Sequence, residues 1–179
     1  MSLVADSQRL ADLFTRLLRS VPESRTLSGA LLCIVGALRD EFDLWFACIC
    51  DGFVDGDAFR FLASWSAAET VLETGTEISL DLTPALREIA VRVSDGEICH
   101  SRASEGALGL VDDIRREEGV REALLVPLRD ASGVRALLAL GSSSDAIYGE
   151  AEHVFFRRLG QALEGSLLTL VDAGRPTSA

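Results

Sequence analysis

Cys99-His100 is the one place in the chain where a thiol and an imidazole are adjacent. A cysteine acts as nucleophile or covalent anchor through its thiolate, which a cationic neighbour such as His100 or Arg102 would have to favour. The remaining thiols are Cys33, in an apolar helical pattern, and Cys48 and Cys50, two residues apart on one strand and so on one face of it. Two thiols close no zinc site. With His100 and His153 as the only imidazoles there is no Cys-x-x-Cys and no His-Glu-x-x-His. His153, beside Glu150 and Glu152, reads as a solvated or surface-packed side chain. Asp51, Asp55 and Asp57 crowd a hairpin tip but lack the alternating oxygens and distant glutamate of an EF-hand loop. Asp112-Asp113 and Glu117-Glu118 are sequence neighbours, which face different ways on a helix and share no site. Arg115, Arg116 and Arg121 flank the strand around Val126-Pro127, where guanidinium groups can clamp an anion. Trp65 ends a strand and is placed to floor a pocket; core packing is its other reading.

The composition removes whole chemistries. The chain has no lysine, hence no phosphate-gripping P-loop lysine, no Schiff base and no Ser-Lys dyad. It has no Gly-x-Gly-x-x-Gly. Seventeen basic residues against 28 acidic ones leave a net charge of −11, a surface that repels phosphate backbones and anionic lipid. Neither nucleic acid nor membrane is therefore an expected partner. No apolar run reaches the roughly 20 residues of a bilayer-spanning helix, and a start with Asp6 and no basic lead is not that of a secretory signal. Four cysteines in 179 residues are not a disulfide framework, which points to a reduced, cytoplasmic protein.

The elements follow from periodicity. Leu10, Leu13, Phe14, Leu17, Leu18 and Val21 recur at helical steps over about 5–20, and Pro22 ends that helix. A second helix covers about 25–41, and Gly29 and Gly36 within it suggest close packing. Asp43–Cys50 is an almost unbroken apolar strand, and Ala58–Trp65 returns with Phe59, Phe61 and Ala63 on one face. A strand at Glu77–Leu82 precedes Thr83-Pro84, an N-cap with proline at the first helical position. That helix stops near Gly96, a strand follows at Glu97–His100, and 111–118 has the pattern of another helical turn or two. A hairpin of Arg121–Arg129 and Val134–Ser142 then leads to a last helix over Gly149–Val171, with Phe155, Phe156, Leu159, Leu163 and Leu167 in its apolar stripe. Antiparallel hairpins with helices before and after make an α+β layout.

That order, and above all the closing run ALLVPLRDASGVRALLALGSSSDAIYGEAEHVFFRRLGQALEGSLL, resembles a GAF domain. The resemblance covers about residues 25 to 170. It implies a central antiparallel sheet with the first and last helices on one face and a ligand pocket on the other, walled and covered by 66–120. It divides the chain into an N-terminal dimerisation or linker helix over 1–24, the GAF-like domain over 25–172, and a flexible tail over 173–179. GAF domains that bind cyclic nucleotides share an Asn-Lys…Phe…Asp-Glu signature, which a chain with neither asparagine nor lysine cannot carry. Bilin-binding members attach chromophore through a cysteine often followed by histidine, on a short helix; here Cys99-His100 falls on the strand before. Members that reduce free methionine sulfoxide gather several cysteines at one pocket, a pattern not matched here.

Three functions are therefore expected to compete. The first is a bacterial regulatory sensor that binds a small molecule, or dimerises through its terminal helices, to control a partner or an attached output domain. The second is a stand-alone, non-catalytic GAF-like interaction module. The third is a thiol-based redox enzyme or sensor working through Cys99. No catalytic constellation is evident, and the cofactor is left open. The candidate ligand contacts are Trp65, Cys99, His100, Arg115 and Arg121.

Overall fold

A computed structural model describes residues 3–52, 58–67, 74–79, 84–102, 119–144 and 149–174, with the side chains of 3–7, 84–87, 89 and 101–102 set aside. Helix α1 spans Leu3–Ser20 and α2 spans Leu27–Phe42. Thr26 caps α2 by accepting from the Gly29 backbone N–H at 3.1 Å, which satisfies one of the donors that every helix start leaves open. Asp43 closes α2 in the left-handed region (φ 45°), and its N–H donates to the Arg39 carbonyl. The chain then enters β1 at Leu44–Asp51, one residue later than expected, because Asp43 is occupied in ending the helix. Strands β2 (Ala58–Ser66) and β3 (Glu77–Ser79) follow, then α3 (Pro84–Ser94), β4 (Cys99–Arg102), β5 (Glu122–Asp130), β6 (Gly133–Ser142) and α4 (Glu150–Gly174). The Thr83 cap, the helical turn at 111–118 and the tail beyond 174 lie outside the described residues.

The strands form one antiparallel sheet in the order β3-β2-β1-β6-β5-β4. The first long strand and the last therefore pair at the centre. The β5–β6 hairpin turns through Gly133 at φ +124°, a conformation that suits glycine. The sheet separates two cores. On one face Leu13, Leu17, Ile34, Leu38, Leu124, Leu138, Phe156 and Leu163 pack together from α1, α2, α4 and the strands. Phe42, Phe155 and Phe156 meet there with centroids 5.0–6.1 Å apart, and Phe14 of α1 reaches Phe155 at 6.3 Å. Stacked and tilted ring pairs of this kind add to the area they bury. On the other face Phe46, Cys48, Cys50, Phe59, Phe61, Leu125 and Leu137 form a second cluster beneath α3.

The expected α+β architecture is thus present, with β4 two residues later than expected and with two further differences, at Gly36 and in the register of β2. Gly36 makes no close contact; nothing lies within 4 Å of where its Cβ would stand. The second difference is a bulge. Register runs from Ile49 opposite Ala63 to Cys50 opposite Phe61, leaving Leu62 with no residue across from it. One extra residue reverses side-chain alternation. Phe59 and Phe61 therefore join the second cluster, while Ala63 and Trp65 turn toward the helices.

Candidate functional site

The face opposite the terminal helices is the candidate site, and its floor comes from alternation along four strands. Phe46 and Cys48 of β1, Phe59 and Phe61 of β2, Leu125 of β5 and Leu137 of β6 all point to it and are buried. Gly141 shapes this floor. The Phe46 ring lies directly where a Cβ at 141 would stand, so β6 must be bare of a side chain there. Cys50 is hydrogen-bonded to Cys48 and fully buried, and both effects hold its thiol well above the ordinary cysteine value. The floor is thereby uncharged. Trp45 packs against the same cluster, with its indole Nε1 buried and without a hydrogen-bond partner among the described residues.

The residues singled out from the sequence are dispersed by this geometry. Cys99 lies on β4 opposite Leu125 and is buried in the floor cluster. Burial pushes its thiol up, only partly opposed by the Arg92 guanidinium. His100, one residue on, points through the other side of the sheet toward α4, because neighbours on a strand face opposite ways. The pair is therefore divided by the backbone. Trp65 packs on the helix side, where the Arg39 guanidinium of α2 stands 5.6 Å from its ring. The bulge at Leu62 is what carries it there. Arg121 is exposed just before β5, and its backbone N–H donates to the Ser142 carbonyl at 2.7 Å. Arg115 lies outside the described residues.

A second polar cluster was not visible in the sequence. The two histidines of the chain meet: the His100 and His153 rings stand 5.1 Å apart, nearly perpendicular. His100 Nε2 is 3.7 Å from Glu122 Oε2, and the Glu122 side chain is 1% exposed. His153 is thus packed against β4 from the first turns of α4, and its Nε2 is buried without a hydrogen-bond partner among the described residues. Among the described residues no group of three or more metal-ligating side chains is placed to hold an ion. At the far end of β1, Asp51 is buried and accepts two hydrogen bonds from Arg60, each at 2.9 Å. Arg60 alternates with Phe59 and Phe61, so this pair also belongs to the side away from the floor.

On the outer side of the helices, α1 and α4 leave a groove of about 770 Å³. Leu10, Phe14, Val154 and Phe155 line it, with Glu150 and Arg158 at its edges. Val154 is 42% exposed, and Leu18, further along α1, is 37% exposed.

The fold is GAF-like. The chain aligns with the GAF domain of an Acinetobacter phosphoenolpyruvate-protein phosphotransferase at TM-score 0.68 and 18% identity, over 99% of this chain and all of that one. It aligns with the phycoerythrobilin-bound GAF domain of a cyanobacterial phytochrome at TM-score 0.67 and 12% identity, over 94% of this chain and all of that one. The chromophore-binding domain of a bacteriophytochrome from R. palustris aligns at TM-score 0.68 and 7% identity, over 98% of this chain and 64% of that one. No protein-family profile and no curated protein matches the chain. At these identities the likeness is one of fold. Among the described residues no helix is long and apolar enough to cross a membrane.

Proposed function

We infer that the chain is a regulatory, non-catalytic sensor module of a bacterial cytoplasm. It receives a small molecule on the side of the sheet opposite the terminal helices, and associates with a second copy through α1 and α4. Association places the terminal helices, and any output domain or partner they serve, under the influence of the sheet. The observation that carries this reading is the division of the molecule: one sheet, an apolar floor on one face, and helices on the other whose outer surface keeps an apolar groove. Two of the structures with this fold are described as phycoerythrobilin-bound and as chromophore-binding, which gives the fold a record of holding organic ligands. Covalent attachment or redox chemistry at Cys99 is not part of the proposal, since its thiol is held protonated and its histidine neighbour is on the other face.

The groove between α1 and α4 also favours a second reading, a stand-alone module whose only activity is association. Sedimentation tests the shared part. The wild-type chain is expected to run as a dimer, and Leu18→Glu combined with Val154→Glu, both on exposed positions, is expected to run as a folded monomer. A wild-type monomer, or a double variant that stays dimeric, would remove the helix face from the proposal.

A further inference from the structure

The groove on the outer side of the terminal helices carries charge as well as apolar surface. Leu10 and Phe14 of α1 and Val154 and Phe155 of α4 line it, and Val154 is 42% exposed. Glu150 and Arg158 belong to the same lining and are exposed. They stand four residues before and four after Val154, so the three share one row along α4. Two turns of helix set the charges about 12 Å apart, with the valine midway. Among the described residues neither charge has an ion-pair partner within the chain.

Charge also says what can cover this face. The chain carries −11, so two copies repel one another over most of their surface. The two helices that border the groove are an exception. Together α1 and α4 hold five arginines and six carboxylates, a net charge of −1, which leaves −10 to the rest of the chain. A strongly basic partner would be drawn to that acidic remainder, away from the groove. A second copy meets little repulsion here.

The row itself has the symmetry of a self-contact. In a two-fold contact one patch is used twice, residue i meeting j while j meets i. An axis through Val154, perpendicular to α4, brings Glu150 of each copy opposite Arg158 of the other. Two ion pairs then form at once, one at each end of an apolar centre. A parallel pairing of the same row would instead set Glu150 against Glu150 and Arg158 against Arg158.

We propose that the groove between α1 and α4 is covered by the same groove of a second copy running in the opposite direction. Val154 meets its counterpart on the two-fold axis, and Glu150 and Arg158 pair reciprocally across it. The proposal rests on the reading of the helix face as the association surface and adds to it the orientation and the register. In this arrangement the C-terminal ends of the two α4 helices point away from each other, so whatever they control is held apart.

Charge reversal tests the register. Sedimentation is run on wild type, Glu150→Arg, Arg158→Glu and the double variant. Each single reversal puts like charges at both ends of the contact and is expected to weaken dimerisation about tenfold, the effect of losing two exposed ion pairs together. The double variant restores opposite charges and is expected to dimerise as wild type does. Val154→Cys gives an independent reading. Mild oxidation is expected to join position 154 of one copy to position 154 of the other, since a disulfide needs Cα atoms within about 7 Å; peptide mapping separates this link from any through Cys33, the free thiol that is only half-buried. Suppose the wild type is a dimer but the single reversals dimerise equally well, the double variant stays weak, or no link forms between the two positions 154. Any of these results would overturn the crossed register and leave the helix face as the association surface. A wild-type monomer would overturn both the proposal and the reading beneath it.

Discussion

Gly36 and Gly141 are alike in sequence terms, each a glycine inside an apolar pattern, and opposite in the structure. A Cβ at Gly36 meets open space on the outer side of α2. Gly36→Ala should therefore stabilise the protein by about 1 kcal/mol, the propensity difference between the two residues in a helix, and raise Tm by about 2–4 °C. A Cβ at Gly141 meets the Phe46 ring. Gly141→Ala should lower stability by about 1–3 kcal/mol, as overpacking does, and displace Phe46 from the floor. Thermal unfolding of the two variants checks both signs at once. Equal shifts in one direction would mean that packing does not distinguish the two sites. The sequence suggested close packing at Gly36 because glycine in a helix usually needs a reason. It could not show that the tight contact lies instead at Gly141. His100 and His153 illustrate the same limit, since their meeting depends on where α4 crosses β4.

The last hairpin and helix were legible because every local signal agreed: strand alternation, a turn of Asp130-Ala131-Ser132-Gly133, then an apolar stripe at helical spacing. Two contacts fix how these elements join. Gly160 of α4 comes so close to β5 that a Cβ would stand 2.6 Å from Val126 Cγ1. Gly160→Ala should cost about 1–3 kcal/mol alone and less in a Val126→Ala background, where the obstructing methyl groups are gone. A denaturant-measured coupling near zero would contradict this contact. The hairpin turn is held by charge. Asp130 accepts from the Ser132 hydroxyl and N–H and pairs with Arg135, which holds its carboxyl at about 2 instead of 3.8. Arg135 in turn donates to Asp172 of α4 at 2.8 Å. A carboxyl with a lowered folded-state pKa stabilises above its unfolded value and loses that contribution as pH falls toward the folded one. The stability advantage of wild type over Asp130→Asn should therefore be full above about pH 4 and shrink to nothing near pH 2. An advantage unchanged across that window, measured by urea unfolding, would detach Asp130 from the stability of the turn. The bulge at Leu62 was the illegible part of this layer, because AFRFLASW keeps its apolar alternation straight through the residue that breaks the register.

The two faces of the sheet give the molecule its division of labour. The class of fold could be read from the order of hairpins and helices, whereas the site depends on which side of the sheet each strand residue takes. Cys99 and His100 are adjacent in the chain and separated by the sheet; Trp65 is diverted to the helices by one bulged residue; Phe46 and Phe61, distant in sequence, share a floor. A single residue of register thus decides membership of the site, and sequence periodicity does not resolve register at that precision. β1 and β6 pair at the centre of the sheet and carry side chains into both cores, so in the proposed function they are the link between the two faces. The most direct measurement is the mass of the purified protein under native and denaturing conditions, side by side. The expected result is a dimer of the 19.2 kDa chain carrying a small additional mass that disappears on denaturation. A bare 19.2 kDa monomer under both conditions would contradict the sensor and the association together.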